Sequence, residues 1–357
     1  MILNIYIIKL INPRDDMNRI IDCFLFFQEI DLLEIRLKYL YDTVDKFLIV
    51  EAAQSFTGLK KEFLFEKNKE RFKPYLDKIT YLKIENIASN YKEVIDHLNS
   101  ENIEVYKKIK NILESHIHYD KKILWWVLDS YHRECIHIGL SKICTDDDLI
   151  ILSDIDEFPK LDIVKKIKYS GINNYPIVFK QLEFKYYLNL FSHDNWHGSI
   201  ISPFKYIKKK SLNELRINSG DLVGFNNAGY HFTSAGGLEM IKKKIESWGH
   251  QEYNIKEVKD NIELNIRNGK DIFYRFGQVR SRIIDLKNNQ IFDNRIVDIL
   301  NNYPNLTVNN LSKETFSQKL KYKNIQLYIY FLKVYNNPNI IIQKIKTIIF
   351  KTLFSKG

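Results

Sequence analysis

Three carboxylates lie close together in the segment Asp154-Ile155-Asp156-Glu157, directly after the apolar run of residues 149–152. Because their mutual repulsion and partial burial cost free energy, a cation or several hydrogen-bond donors must offset that cost. In an extended chain Asp154 and Asp156 point to the same side, where both could reach one metal ion. Mg²⁺ and Mn²⁺ prefer carboxylate ligands and keep open positions for the phosphates of a substrate. The alternative is a solvated acidic turn that caps the following helix.

Three further positions carry side chains that suit phosphate or metal chemistry. His231 lies in a segment rich in Gly, Asn and Ser, where it could complete a metal site, or it could be a histidine of the core. Arg133 lies among apolar residues, and its planar guanidinium suits a pyrophosphate or an ion pair with a nearby acid. His250 and Glu252 could bind substrate or cap helix termini.

The elements that must position these side chains are clearest in the first half of the chain. Buried strands are predicted from short apolar runs at residues 20–27, 46–50, 78–82 and 149–152. Helices are predicted between them at residues 32–41, 67–76, 88–115 and 124–140. This alternation predicts an α/β fold with a mostly parallel sheet and helices on both faces. Ligands bind at the carboxyl ends of such strands, where Glu51 and the carboxylate segment lie.

The second half of the chain has a different pattern. Residues 177–190 alternate in part, which is typical of a half-solvated strand or hairpin. Residues 224–237 are rich in Gly, Asn and Ser and predict a shaped loop around His231. Helices are predicted at residues 238–248 and 255–268.

Composition and charge limit the class of protein. The chain has 357 residues, 45% hydrophobic and 27% charged, which excludes a disordered chain and a small disulfide scaffold. Its three cysteines form no Cys-x-x-Cys pair, so we expect no structural zinc site. The net charge of +10 suggests a nucleic acid or an anionic membrane as partner. However, residues 315–357 hold eight lysines and no acid, which leaves only +2 for residues 1–314, so we expect an anionic membrane surface and no nucleic acid as partner.

The sequence lacks the motifs of several common enzyme classes. It contains no Gly-x-x-x-x-Gly-Lys, Gly-x-Gly-x-x-Gly or Gly-x-Ser-x-Gly, which excludes the simplest nucleoside triphosphatase, Rossmann dehydrogenase and serine hydrolase. No run of about 18 apolar residues occurs, so we expect no transmembrane helix. Residues 1–11 lack the features of a signal peptide, and we expect a cytoplasmic protein, peripheral on the membrane.

Taken together, these motifs resemble glycosyltransferase family 17, which includes β-1,4-mannosyl-glycoprotein β-1,4-N-acetylglucosaminyltransferase. The resemblance begins with the segment DCFLFFQEIDLLEIRL and extends over about residues 20–280. The similar segments are residues 22–37, 44–51, 56–58, 133–140, 149–157, 229–233, 243–254 and 268–271. Each motif is weak alone, but chance rarely produces this order and spacing.

The resemblance implies a GT-A-type nucleotide-sugar fold and an inverting transfer, with UDP-N-acetylglucosamine as the donor. It implies that Asp154 and Asp156 hold a divalent cation, Mn²⁺ or Mg²⁺, on the donor diphosphate, with His231 as a third ligand or phosphate contact. The donor-binding residues that it implies are Glu51, Thr57, Gly58, Arg133, Glu157 and His250. Inversion needs a general base for the acceptor hydroxyl, and the candidates are Glu183, Asp194 and Glu252.

We therefore predict an inverting, metal-dependent glycosyltransferase that acts on a glycan acceptor, either lipid-linked or part of a surface polysaccharide. The predicted segments are an extension at residues 1–19, a catalytic domain at 20–285 and a helical, lysine-rich tail at 286–357. After Pro338, the tail could form a helix on an anionic membrane or a helix packed on the domain. The rival functions are a metal-dependent nucleotide-sugar hydrolase, a basic nucleic-acid-binding protein and an inactive glycan-binding module.

Overall fold

The computed structural model describes residues 18–171 and 175–336 of the chain. Nearly all of the predicted extension, residues 1–19, and the whole predicted membrane helix after Pro338 lie outside the described residues. Within the described ranges, no helix is both long and apolar enough to cross a lipid bilayer. The predicted cytoplasmic, membrane-peripheral location stays a prediction.

The chain divides into two compact units. The first comprises the described residues up to 249 together with residues 282–309. The second comprises residues 250–281 and the described residues from 310 onward. The predicted boundaries at residues 19 and 285 stay predictions.

The first unit is built on a mixed ten-stranded sheet. Its strands are β1 (Ile20–Phe26), β2 (Lys46–Ala52), β3 (Ile79–Ile84), β4 (Leu149–Asp154), β5 (Glu157–Pro159), β6 (Ile177–Lys185), β7 (Leu190–Pro203), β8 (Gly224–Phe225), β9 (Gly229–Thr233) and β10 (Arg282–Ile283). The order is β3-β2-β1-β4-β7-β6-β9-β5, with β8 beside β6 and β10 beside β7. Strands β3, β2, β1 and β4 run parallel, whereas β7 is antiparallel to β4 and β6. The predicted α/β class is confirmed, but the sheet is mixed rather than mostly parallel.

Several helices differ from their predictions: the one predicted over residues 67–76 is a 3₁₀ helix, Lys69–Tyr75, and the one predicted over 255–268 is two short helices. The α-helices are α1 (Ile30–Leu40), α2 (Leu64–Lys67), α3 (Tyr91–Ser100), α4 (Glu104–Ser115), α5 (Leu124–Glu134), α6 (Ile136–Ile143), α7 (Leu161–Ser170), α8 (Phe204–Ile207), α9 (Leu212–Ile217), α10 (Leu238–Ser247), α11 (Lys256–Lys259), α12 (Ile262–Arg267), α13 (Asn294–Leu300) and α14 (Phe316–Asn336). The single helix predicted over residues 88–115 is two amphipathic helices, α3 and α4, each of which buries an apolar stripe. The helix predicted over 124–140 is divided into α5 and α6 at Cys135.

The four parallel strands are covered on both faces. Side chains alternate between the faces of a strand, so Phe24 and Ile49 pack in one core while Cys23 and Leu48 pack in the other. Burial on both sides requires apolar residues at nearly every position, and this is why the apolar runs predicted these strands. The predictions for β1 to β4 are confirmed.

The other half of the sheet differs from its prediction. Strand β6 is buried along nearly its whole length, although it was expected to be half-solvated. The prediction of a loop over residues 224–237 is wrong where the chain forms β9. This strand lies between β6 and β5, and its residues Tyr230, His231 and Phe232 are all buried. Gly229 is the first residue of this strand. A side chain does not fit there, because a Cβ would lie 2.4 Å from the carbonyl oxygen of Phe158. The glycine therefore marks close approach of two backbones and not a loop.

The second unit contains α11, α12 and α14. Within it, the Tyr322 hydroxyl of α14 donates a hydrogen bond to the carbonyl oxygen of Asp271 at 3.0 Å, and the ring of Tyr322 packs on Tyr274. Lys270 and Glu314 form an ion pair at 2.5 Å. The predicted helical tail is confirmed as α14 for its described part.

Candidate active site

The carboxylate segment lies at the carboxyl end of β4. Asp154 is the last residue of β4 and Glu157 is the first of β5, so the two residues between them form a tight turn. In the sheet, Asp154 is paired with Leu25 of the parallel strand β1. This edge is where open α/β sheets place their ligands.

Arg36 of α1 fixes the shape of this turn from inside the protein. Its wholly buried guanidinium donates two hydrogen bonds to the carboxylate of Asp22, at 2.6 and 2.7 Å. It also donates to the carbonyl oxygens of Ile155 at 3.3 Å and Glu157 at 2.6 Å, and to the hydroxyl of Ser153 at 2.5 Å. Because the donors of a guanidinium are fixed in one plane, these bonds define the backbone that carries the carboxylates.

Two further arginines neutralise the carboxylates themselves. Arg133 of α5 donates to Asp154 at 2.7 Å. Arg216 of α9 donates to Asp154 at 3.1 Å and to Glu157 at 2.6 Å. Burial opposes ionisation of Asp154, but the charges of Arg133 and Arg216 outweigh it and hold the pKa of Asp154 well below its usual range. Arg133 therefore forms the ion pair that was the alternative to a pyrophosphate contact.

A row of acidic and basic side chains crosses the sheet beside the turn. The paired positions are Glu157 with His231, His231 with Glu183, and Glu183 with His193 on four neighbouring strands, β5, β9, β6 and β7. Side chains at paired positions share one face of a sheet, so acid and base alternate along this row. The ring of Trp196 stacks on His231 at 4.4 Å and donates its indole N–H to Glu157 at 2.8 Å. The row thus connects the carboxylate turn to strands β9, β6 and β7.

The strand β6 is irregular at this row. Its register against β7 shifts on both sides of Glu183, and Asn195 of β7 has a φ of 71°. Such bulges redirect side chains and are frequent beside active sites. Burial opposes ionisation of Glu183, but hydrogen bonds with His193 and His231 outweigh it and hold the pKa of Glu183 far below its usual range. Glu183 is therefore a carboxylate that is ionised at neutral pH.

His231 lies between Glu183 and Asp156. Its Nδ1 is 3.6 Å from Glu183, and its Nε2 is 3.6 Å from Asp156. Burial disfavours the imidazolium, but the charge of Asp156 and the interaction with Glu183 outweigh burial and raise the pKa of His231 to about 10. Lys244 of α10 also approaches Asp156, at 3.5 Å. Two basic side chains, His231 and Lys244, therefore balance the charge of Asp156 in this structure.

Asp156 and the neutral form of His231, after loss of its second proton, would suit a divalent cation, and Asp154 fits it less directly. The oxygen of Asp156 and the Nε2 of His231 lie slightly further apart than the separation of about 3 Å between neighbouring ligands on one octahedral ion. Both oxygens of Asp154 already accept hydrogen bonds from arginines, so Asp154 would have to share its lone pairs. Among the described residues, this predicted set is not one of the groups of three ligand atoms within 4.8 Å of one another.

An apolar cleft of about 110 Å³ lies at the carboxyl ends of β1 and β2. Its walls include the aromatic rings of Phe27, Phe56 and Trp248. Lys244 lines this cleft and also a small pocket that contains Asp156, so the cleft and the carboxylate turn adjoin. Aromatic walls of this kind provide stacking surfaces for a nucleobase.

Glu51 lies at the end of β2 but faces inward. Its carboxylate accepts hydrogen bonds from Lys61 at 2.6 Å, from the backbone of Leu64 and Phe65 at 2.7 and 3.1 Å, and from the Tyr81 hydroxyl at 2.9 Å. These donors account for its complete burial without a ligand, and its place near a nucleotide stays a prediction.

Thr57 and Gly58 lie in the turn after β2, whose neighbouring residues Ser55 and Phe56 line the cleft. The Thr57 hydroxyl donates to the carbonyl oxygen of Glu246 at 3.1 Å. Gly58 has a φ of +86°, which favours glycine. The donor-binding role of this turn stays a prediction.

The remaining candidates are Asp194, His250 and Glu252. Asp194 is exposed on β7, one residue after His193. His250 and Glu252 belong to the second unit, where they contact each other at 3.1 Å and Glu252 lies 3.6 Å from Lys333. Their roles stay predictions.

The sequence interpretation missed four residues of the site: Arg36, Trp196, Arg216 and Lys244. For Arg36 a signal was present, because an arginine stands among the leucines of a helix predicted to be buried. Arg216 has no such signal, since the short helix α9 was not predicted at all.

The amino-terminal part of the sequence matches a known family. Residues 8–125, about a third of the chain, match the model of glycosyltransferase family 17. This part includes the strands β1 to β3 and the buried Arg36 that shapes the carboxylate turn. No protein with a curated description matches the chain. Over residues 8–125 the chain is thus similar to glycosyltransferase family 17, and this match supports a glycosyltransferase.

Proposed function

We propose that the protein is an inverting, metal-dependent glycosyltransferase that moves N-acetylglucosamine from UDP-N-acetylglucosamine to a glycan acceptor. The observation that carries the proposal is the juxtaposition of the aromatic cleft with the turn of Asp154, Asp156 and Glu157. A nucleotide sugar needs a stacking surface for its base and positive charge beside its diphosphate, which Lys244 and a metal ion held at the turn would supply.

The cleft would hold the uracil ring, with Phe27, Phe56 and Trp248 as its walls. Lys244 lines both the cleft and the pocket of Asp156, which suits a contact with the diphosphate. The diphosphate would thus lie between the base and the carboxylate turn, where a donor must present its anomeric carbon.

Asp156 and His231 would hold the divalent cation, with Asp154 sharing in it. The ion, Mn²⁺ or Mg²⁺, would neutralise charge that develops on the departing UDP. The neighbouring row would support these two ligands, because Glu183 and the ring of Trp196 fix the orientation of His231.

The general base is proposed to be Glu183 or Asp194. Glu183 lies in the row and is ionised, but its low pKa makes it a weak base. Asp194 is exposed beside His193, where an acceptor from solvent could reach it. The acceptor is proposed to be a glycan on a lipid or a surface polysaccharide.

The test compares Asp156→Asn with the matched control Asp162→Asn, whose exposed side chain lies on α7 six residues further on. We expect Asp156→Asn to lose sugar transfer by a factor on the order of 10²–10³, because the cation that stabilises the leaving group is lost. UDP release and transfer are measured with UDP-N-acetylglucosamine, Mn²⁺ and a panel of glycan acceptors, with far-ultraviolet circular dichroism as the check on folding.

Several outcomes would contradict the proposal. Full activity of Asp156→Asn, or of the wild type in excess chelator, would exclude the metal role. UDP release at the same rate with and without acceptor would indicate a nucleotide-sugar hydrolase. An α-linked product from the α-linked donor, read from the coupling constant of the anomeric proton, would exclude inversion.

A further inference from the structure

A second cluster of ligating side chains lies away from the carboxylate turn. It consists of His116 and His118, in the loop after α4, and Glu214 in the first turn of α9. Of the His, Cys, Asp and Glu side chains in the described ranges, these form the single group of three whose ligand atoms all lie within 4.8 Å of one another. The candidate active site does not use these residues.

The distances between the ligand atoms suit a small transition-metal ion. Glu214 Oε1 lies 3.5 Å from His118 Nε2 and 3.9 Å from His116 Nδ1. Two ligands at the usual zinc distances of about 2.0–2.1 Å are separated by about 3.3 Å in a tetrahedral site. Small side-chain adjustments would therefore bring all three atoms to one ion.

His116 supplies an independent observation. Its side chain is 97% buried, since 3% of the residue is exposed, yet its Nδ1 has no hydrogen-bond partner among the described residues. A buried polar atom without a partner is costly, and this one faces Glu214. On the other side of the ring, the amide nitrogen of Asn213 lies 3.1 Å from Nε2. With this amide turned over, its oxygen would accept the Nε2 proton and leave the Nδ1 lone pair to a metal.

The cluster is open to solvent on one side. The side chains of His118 and Glu214 are 34% and 46% exposed. An ion could therefore enter and would keep a position for water, which is the arrangement of zinc sites with three protein ligands. Two imidazoles with one carboxylate favour Zn²⁺ over Mg²⁺ or Ca²⁺, which prefer oxygen ligands.

We propose that His116, His118 and Glu214 form a second metal site, specific for a divalent transition-metal ion of the zinc type. The ion ties the loop after α4 to α9. Two residues beyond Glu214, the same helix carries Arg216, which holds Asp154 and Glu157. The site therefore braces the helix that reaches the carboxylate turn.

The experiment is a calorimetric titration of Zn²⁺ into the full chain, without a histidine tag and stripped of metal. We expect His118→Ala and Glu214→Ala each to bind one equivalent fewer than the wild type. The variant His118→Cys keeps the equivalent, because a thiolate is also a zinc ligand. The matched control is His97→Ala, a histidine on α3 outside the cluster, which binds as the wild type does.

A second comparison separates this site from the proposed active site. Asp156→Asn should retain the equivalent that His118→Ala loses, whatever its effect on sugar transfer. Equal stoichiometry and affinity in the wild type and His118→Ala would overturn the second metal site. Loss of the same equivalent in Asp156→Asn but not in His118→Ala would likewise overturn it.

Discussion

The two halves of the sheet bury different kinds of side chains. Strands β1 to β4 run parallel and bury mainly apolar side chains, and their buried carboxylates Asp22 and Glu51 are each paired with one cation, Arg36 and Lys61. Strands β5, β6, β7 and β9 bury a row of carboxylates and imidazoles, in which each charge depends on its neighbours. The first half is held by packing, and the second by packing together with charge balance.

This difference is also visible in the histidines. Burial lowers the pKa of His137, in α6 above the parallel strands, to about 3. The pKa of His231 is raised to about 10, because Asp156 and Glu183 outweigh burial. The imidazole of His137 is therefore neutral, whereas the imidazole of His231 is positively charged. Burial alone does not determine the protonation state; the charged neighbours decide it.

The largest predicted effect tests whether β9 is as much a core strand as β1. Phe232 and Phe24 are both fully buried, so Phe232→Ala and Phe24→Ala should each lower the free energy of unfolding by about 3–5 kcal/mol. Urea denaturation followed by fluorescence measures both. Phe316→Ala, at a side chain that is 81% exposed, is the control and should change it by less than about 0.5 kcal/mol. A comparably small change in the free energy of unfolding for Phe232→Ala would support the loop that the sequence predicted over residues 224–237.

The second prediction concerns acid stability. Between pH 6.5 and about 3 the unfolded chain protonates His137 while the folded chain does not, so stability falls as the pH falls. The slope for this residue is about 1.4 kcal/mol per pH unit, or about 2 kcal/mol lost at pH 5 relative to pH 6.5. In His137→Gln, which can still donate to the carbonyl oxygen of Lys210, this slope should disappear.

Urea denaturation from pH 7 to pH 4.5 provides the measurement for this prediction. The control is His97→Gln on α3, which should retain the slope of the wild type. An unchanged slope in His137→Gln would show that another group causes the acid sensitivity, and would weaken the contrast between the two kinds of histidine.

The smallest predicted effect lies within the charged row. Trp196→Phe keeps an aromatic ring on His231 but removes the N–H that donates to Glu157. Because Arg216 still donates to the same oxygen, the loss should be only about 1 kcal/mol in the free energy of unfolding. Tyr41→Phe removes a hydroxyl that bonds the exposed Asp77, and should have no measurable effect. Equal effects of the two variants would mean that the row is not a stabilising network.

The parallel half could be predicted from the sequence because each residue of its strands shows by its own type that the position is buried. A strand buried on both faces needs an apolar residue at almost every position, and runs such as residues 46–50 and 149–152 show this directly. The carboxylate segment was found for a related reason. Three acids after such a run are costly, and they are therefore conspicuous.

The second half could not be predicted in this way because its burial depends on pairs distant in sequence. His231 and Glu183 are acceptable inside the sheet only because they face each other across β9 and β6. In the sequence each appears as a polar residue that favours a loop or a solvated face. Gly229 strengthened that impression, although it is required by the close approach to Phe158. Arg216 was missed because only the folded chain brings it to Asp154, 62 residues earlier.

The position of Arg36 in the sequence has a consequence for the order in which the site can assemble. Asp22 is only 14 residues away, so the ion pair needs little more than β1 and α1. The carbonyl oxygen of Glu157 is 121 residues away and is synthesised after α2 to α6. A chain growing from its amino terminus can therefore form the ion pair that orients the guanidinium of Arg36 well before it contains the strand that accepts hydrogen bonds from it. The carboxylate turn can therefore take its shape only after β4 and β5 have been synthesised, and an amino-terminal fragment that ends before them lacks the site.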